Sequence, residues 1–412
     1  MAEPEAAEPD APARAAAPVA PAERLLLLDV LRGFAVFGIL VVNMLFFAGP
    51  FEWAVDPPWT SAADRAAGFV ITTLFSGKFY SIFSILFGAG FAMQMERGEG
   101  RGAPAGRIFA RRLVVLLATG LLHAAFVWYG DILHLYAVLG FLLLLFRRAA
   151  IEKIVPAVAI ALMIPPGLAA VAAIGASLAG GTGNEHAAAE MFRTSAALRA
   201  YANGTWSEVT RHRIADWLML DTFAVFFAPS VFAMMLTGLA AARARVFQDP
   251  QRHAALFRRA LLIAIVPGIA GNLFIAAAKD AMDPARPTML GAAVTAVQAI
   301  AVPALAIVYI SAIALIAASG RNFLKALAPV GRMALTNYLL QSAIATLIFY
   351  SYGLGLFGKV GPAATTGLAV VIFALQIAIS GWWMKRFRFG PVEWAWRSLT
   401  YGRWQPMRVP GD

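Results

Sequence analysis

The chain has 412 residues, of which 60% are hydrophobic and 14% charged, against about 45–50% and about 25% in soluble globular proteins. That excludes an ordinary soluble enzyme, a disordered chain and a fibre, and the absence of cysteine excludes a disulfide framework, a thiolate metal site and a cysteine nucleophile. The net charge of +11 must be placed relative to a membrane before it says anything about partners.

Residues 1–23 are Ala, Pro and acidic residues with one Arg, too poor in large side chains to bury a core, so a disordered tail is expected. Apolar runs follow at about 25–48, 68–94, 110–129, 132–146, 154–179, 217–242, 260–279, 289–318, 333–351 and 363–384. Backbone groups in lipid must be satisfied internally, so each run reads as a helix. The fourth is short for a crossing, and the second is interrupted at Gly77-Lys78. With a cytoplasmic N-terminus, 25 of the 34 basic residues fall in inside segments and eight in outside segments, Lys78 lying within the second run. This is the positive-inside bias. The expected fold is therefore an all-α polytopic membrane helical bundle of about ten transmembrane helices, both termini cytoplasmic. It divides into an N-terminal bundle (24–180), an outside loop (181–216), a C-terminal bundle (217–384) and a cytoplasmic amphipathic tail (385–412). The basic residues then face anionic lipid head groups, and nucleic acid is not expected as a partner. A homo-oligomer is allowed.

Ionisable groups in hydrocarbon are costly, so they carry the functional signal. Asp29 and Arg32 share a face of the first span, either as an ion pair for a polar ligand or partner helix, or as an orienting pair at the interface. Asn43 lies near the outer end of that helix. Lys78 lies within the second run. His123 lies near the outer end of the third span, and Asp131 precedes His134 by three residues, so a carboxylate and two imidazoles can meet near the outer face. The alternative is interhelical hydrogen bonding. The spacing argues against a metal site.

The ninth span opens with a polar stripe of Arg332, Thr336, Asn337 and Gln341, which either lines a cavity or packs helices through amides. Beyond the last span, Gly390-Pro391 breaks the helix, and Glu393 and Arg397 form an expected i,i+4 pair on a short second helix rich in Trp and Arg. This is either an interfacial anchor or a guanidinium cluster for a phosphate-bearing ligand.

Leu28-Asp29-Val30-Leu31-Arg32-Gly33-Phe34 with Asn43, the run Phe83-Ser84-Ile85-Leu86-Phe87-Gly88-Ala89-Gly90, and His123 followed by Gly130-Asp131-Ile132-Leu133 resemble the YeiB-like bacterial membrane proteins. Gly331-Arg332, Thr336-Asn337-Tyr338, Gln341-Ser342, Phe389-Gly390-Pro391 and Glu393-Trp394 through Tyr401 resemble that family's C-terminal domain of unknown function 418. The resemblance implies a multi-pass protein of the bacterial inner membrane and no settled activity. A remoter similarity joins Asp29, Arg32, Gly33 and Asn43 to transmembrane acyltransferases of the heparan glucosaminide acetyltransferase type. It implies transfer of an acyl group from a cytoplasmic thioester, acyl-CoA, to a hydroxyl or amine near the outer face. In that group a histidine follows in the first outside loop, whereas residues 49–65 here contain none. The expected enzyme would use His123, Asp131 and His134 for catalysis, with Asp29, Arg32, Asn43, Lys78, Arg332, Asn337, Gln341, Glu393 and Arg397 for binding. A transporter and a non-catalytic envelope protein are the competing classes.

Overall fold

The computed structural model describes residues 25–54, 57–179, 184–282, 287–321 and 323–409; the tail expected at 1–23 lies outside them. The helices are α1 (Leu26–Ala48), α2 (Ala62–Val70), α3 (Lys78–Gly100), α4 (Ala105–Phe126), α5 (Leu133–Leu143), α6 (Ile151–Ala179) and α7 (Asn184–Asn203). They continue as α8 (Trp206–Arg243), α9 (Ala254–Ala278), α10 (Met289–Ala318), α11 (Leu327–Arg332), α12 (Ala334–Phe349), α13 (Pro362–Arg386) and α14 (Pro391–Tyr401). Among the described residues no β-strand forms. Eight helical stretches are long and apolar enough to cross a bilayer, and the two shorter apolar helices, Leu133–Phe146 and Ala334–Phe349, match the fourth and ninth expected runs. The chain is a polytopic helical bundle.

Glycines decide how closely these helices pack. A β-carbon added at Gly88 of α3 would overlap the Met235 carbonyl oxygen of α8, and one at Gly238 of α8 would overlap the Ile85 carbonyl oxygen of α3. Gly33 meets the Leu327 backbone and Gly331 the Asp29 backbone in the same way, locking α11 against α1. In lipid, where apolar contact alone does not drive association, backbone proximity through small residues supplies the packing.

The interruption at Gly77 is a backbone feature. Gly77 sits at φ 86°, after a π-helical turn at Ile71–Phe75. The left-handed conformation there costs a glycine little.

Residues 181–216, expected as a loop, carry α7 and the first turns of α8, so His186 and His212 lie in helices rather than loops. The alanines of this stretch favour helix. Thr205 and Glu208 form a reciprocal capping box that starts α8. The expected amphipathic tail is also a docked element. In α14, Glu393, Ser398 and Thr400 are buried while Leu399 is exposed, and the Trp396 indole donates to the Arg112 carbonyl of α4 at 3.0 Å.

Candidate functional site

One face of α1 lines a cavity of about 420 Å³ at Leu25, Leu28, Asp29, Arg32, Val36, Ile39, Val42 and Asn43, within the range of small-molecule sites. The 18 residues from Leu25 to Asn43 advance roughly 27 Å along a helix, so the cavity follows α1 across most of a hydrocarbon core. Its composition changes along this length. The middle is apolar and aromatic, with Phe79, Phe83, Leu86 and Phe87 from α3 and Tyr136 from α5. The end at the start of α1 carries six arginines, Arg32, Arg97, Arg101, Arg112, Arg332 and Arg397, and two carboxylates, Asp29 and Glu393.

The arginines are held by defined contacts. Arg32 pairs with Asp29 at 2.9 Å. Arg112 donates to the Gln94 side chain at 3.0 Å and lies over the Trp396 ring at 4.1 Å. Arg397 lies over the Phe389 ring at 4.9 Å, and its burial holds the guanidinium below the usual arginine range. Arg332 has a buried Nε without a hydrogen-bond partner. Like charges gathered this closely at one end of a cavity favour an anion among them.

The expected Glu393–Arg397 pair is replaced by another use of the carboxylate. Glu393 Oε1 accepts from the backbone N–H groups of Leu335 and Thr336 at 2.7 and 3.0 Å, and Oε2 accepts from the Thr336 hydroxyl at 2.5 Å. The pair at i,i+4 is worth only a few tenths of a kcal/mol on an exposed helix, less than the N-terminal amides of α12 offer a buried carboxylate.

Three expected binding residues stand away from the cavity. Asn337 donates to Ser380 at 3.0 Å and to the Val330 carbonyl at 3.3 Å, and Gln341 donates to Gln376 at 2.7 Å. They are the amides that join α12 to α13. Lys78, 1% exposed, donates to the Thr72 carbonyl at 2.9 Å and closes the π-helical turn. Each satisfies a polar group that lipid would leave unmatched.

The expected imidazole–carboxylate cluster forms. His123 Nδ1 lies 2.8 Å from Asp131 Oδ2, and His134 Nδ1 lies 2.9 Å from Asp131 Oδ1, which also accepts from the His134 backbone N–H at 3.0 Å. None of the three lines the cavity. The cluster reaches it through Tyr338, which lines the cavity and whose ring lies 5.4 Å from that of His123. His134 Nε2 meets Asp221 of α8 at 2.9 Å. Asp221 escaped the sequence reading because its partner is 87 residues away, although a single acid opening a long apolar run was a usable signal. Gln94 was also missed as a site residue, and Arg97, Arg101 and Arg112 were counted only in the charge bias of the inside segments.

The fold and cavity define a multi-pass helical membrane protein with a chamber that ends in a cluster of cations. The chain belongs to the YeiB-like family that carries the domain described as "Protein of unknown function (DUF418)", which matches residues 241–403. It is similar to "Uncharacterized protein YxaH" of Bacillus subtilis (strain 168), 36% identical over 93% of this chain and 96% of the relative. It is similar to "Uncharacterized protein YeiB" of Escherichia coli (strain K12), 29% identical over 92% and 96%. An "Uncharacterized 39.9 kDa protein in amylase 3'region" of Bacillus acidopullulyticus is 28% identical over 95% and 97%. The matched domain spans α9 to α14 and brings Arg332, Tyr338, Glu393 and Arg397 to the cavity, while α1, α3, α4 and α5 supply the rest of the chamber.

Proposed function

We propose that this protein is a membrane acyltransferase of the bacterial inner membrane whose donor is an acyl-CoA. The observation that carries the reading is the continuity of a six-arginine end with an aromatic, apolar shaft. Phosphates suit the first, through charge-assisted and bidentate bonds, and the long thioester arm with its acyl group suits the second. The positive-inside bias puts the arginines on the cytoplasmic side, where the donor is found. In the transfer, an acceptor oxygen or nitrogen attacks the thioester carbonyl, the carbon–sulfur bond breaks, and the departing thiolate takes up the acceptor's proton. Asn43, at the far end of the lining, donates to the developing oxyanion. Because His123 stands behind Tyr338, its part in proton transfer runs through that phenol.

The test is thiol release from acyl-CoA by the purified protein in nanodiscs. With no cysteine in the chain, every thiol detected comes from the donor. Release that depends on an added acceptor supports the reading, and donor binding without release under a panel of hydroxyl and amine acceptors rejects the transferase.

A transport reading is favoured by the cavity's length along α1, which approaches the thickness of the hydrocarbon core. Movement of a labelled amphiphilic anion across protein-containing vesicles, without chemical change, would select it.

A further inference from the structure

The side chains of His123, Asp131, His134 and Asp221 form a single file of three hydrogen bonds, 2.8, 2.9 and 2.9 Å long. Each bond needs one proton. Two neutral imidazoles bring one each, and ionised carboxylates bring none. Three bonds therefore hold one proton more than neutral imidazoles and ionised carboxylates supply. His134 locates the excess, because both of its ring nitrogens face carboxylate oxygens, Asp131 on one side and Asp221 on the other.

The two ends of the file differ. The Asp131 side chain is fully buried and those of His123 and His134 nearly so, whereas the Asp221 side chain is 41% exposed. From Asp221 to Arg243 at the end of α8 is 22 residues, roughly 33 Å, so the two lie a bilayer core apart. Arg243 holds the Phe146 and Arg147 carbonyls beyond α5. Asp221 thus sits at the opposite boundary, beside the connection that carries Asp131. At the other end of the file, His123 Nε2 is buried with no hydrogen-bond partner among the described residues, beside Tyr338 on the cavity wall.

We propose that these four side chains are a proton conduit between the cavity and the side of the membrane opposite the arginine cluster. A proton from the cavity binds His123 Nε2, and the His123 Nδ1–H bond breaks as Asp131 Oδ2–H forms. The proton shared between Asp131 Oδ1 and His134 Nδ1 passes to the nitrogen. The His134 Nε2–H bond breaks as Asp221 Oδ1–H forms, and Asp221 releases its proton to water. One proton enters and one leaves; rotation of the His123 and His134 rings and of the Asp131 carboxyl then swings the three remaining protons back into the three bonds, which resets the file without carrying a proton in reverse. The rings facing the file are Tyr338 of α12 and Trp128 beside His123, and Trp217 of α8, 5.7 Å from His134. The nearby acid Asp216 is engaged by Tyr201 at 2.6 Å and His212 at 3.6 Å. The conduit stands whether or not the cavity takes an acyl donor.

Two measurements on the full-length protein in phosphatidylcholine–phosphatidylglycerol bilayers test it, neither using a ligand. The first is nitrogen-15 NMR of the five histidines, assigned with single His→Gln variants. At neutral pH His134 should carry a proton on Nε2 and His123 should not. Asp221→Asn, whose amide can donate to Nε2, should remove that proton. A bare Nε2 on wild-type His134, or a proton that persists in Asp221→Asn, overturns the proton count. The second is potential-driven proton flux into dye-loaded vesicles. Wild type should exceed protein-free vesicles severalfold, Asp221→Asn and His123→Gln should fall to background, and Asp221→Glu should restore flux. Background flux from wild type, or unchanged flux in Asp221→Asn, overturns the conduit. Asp221 is exposed, so its variants should retain the wild-type melting temperature.

Discussion

Glu393 of α14 caps α12 from outside the helix, accepting the backbone N–H of Leu335 at 2.7 Å and of Thr336 at 3.0 Å. No side chain of the helix's own N-cap, Met333, does this. A carboxylate on the N-terminal amides satisfies orphan donors and meets the positive end of the dipole. Since α12 carries Tyr338 and α14 carries Arg397, this contact joins two helices that line the cavity.

Glu393→Ala is expected to lower stability by about 2 kcal/mol, because loss of a capping acceptor leaves buried donors unmatched. Thermal melting in detergent measures this. Burial pushes the Glu393 carboxyl above its usual 4.5, against the pull of the Thr336 and Leu335 donors. The folded state then binds this proton more tightly than the unfolded chain, so the contribution is fully present below the unfolded value and is lost as pH rises through the folded one. The melting temperature of wild type relative to Glu393→Gln should therefore fall on raising the pH from 4 into the neutral range. A rise would reverse the assignment.

On the acyl-CoA reading, Arg112 and Arg397 are expected to hold the donor's phosphates at the mouth. Arg112→Gln should weaken binding of a fluorescent acyl-CoA at least tenfold, in line with the loss of one charge-assisted contact of about 1.5–3 kcal/mol. The loss should shrink at high salt. Titration at two ionic strengths reads both effects.

Lys78 faces the Thr72 carbonyl and not the chamber. Lys78→Met is expected to leave donor binding unchanged and stability within about 1 kcal/mol, since an apolar group of similar length removes a desolvated charge together with its bond. Loss of binding in a folded Lys78→Met protein would return this residue to the site.

The reciprocal glycines Gly88 and Gly238 meet backbone carbonyls, not flexible side chains. Gly88→Ala should cost about 1–3 kcal/mol, typical of overpacking, and displace α3 from α8. Gly100→Ala, with open space around it, is the matched control in the same melting experiment.

The helices were legible because their signal is local. A run of apolar residues long enough to cross hydrocarbon can satisfy its backbone only as a helix, and charge bias orients it without knowledge of any contact. Asp131 with His134 was legible for the same reason, since a carboxylate three residues ahead of an imidazole, just before α5 begins, lies within reach of it. Asn337 and Gln341 show where this stops. Their spacing marked a polar stripe, but whether the stripe met a chamber or the Gln376 amide and Ser380 hydroxyl depended on where α13 packs.

From the sequence by itself came the long apolar helices of a polytopic bundle and the polar residues that lipid would not tolerate alone. The tertiary structure decided which of those residues share a space. It gathered six arginines from α1, α3, α4, α11 and α14, separated the amide ladder from them, and drew Asp221 to His134 across 87 residues. Hydrophobicity acts on each helix separately, whereas a cavity and a hydrogen-bonded file exist only in the registers that glycine contacts and buried polar partners select between helices.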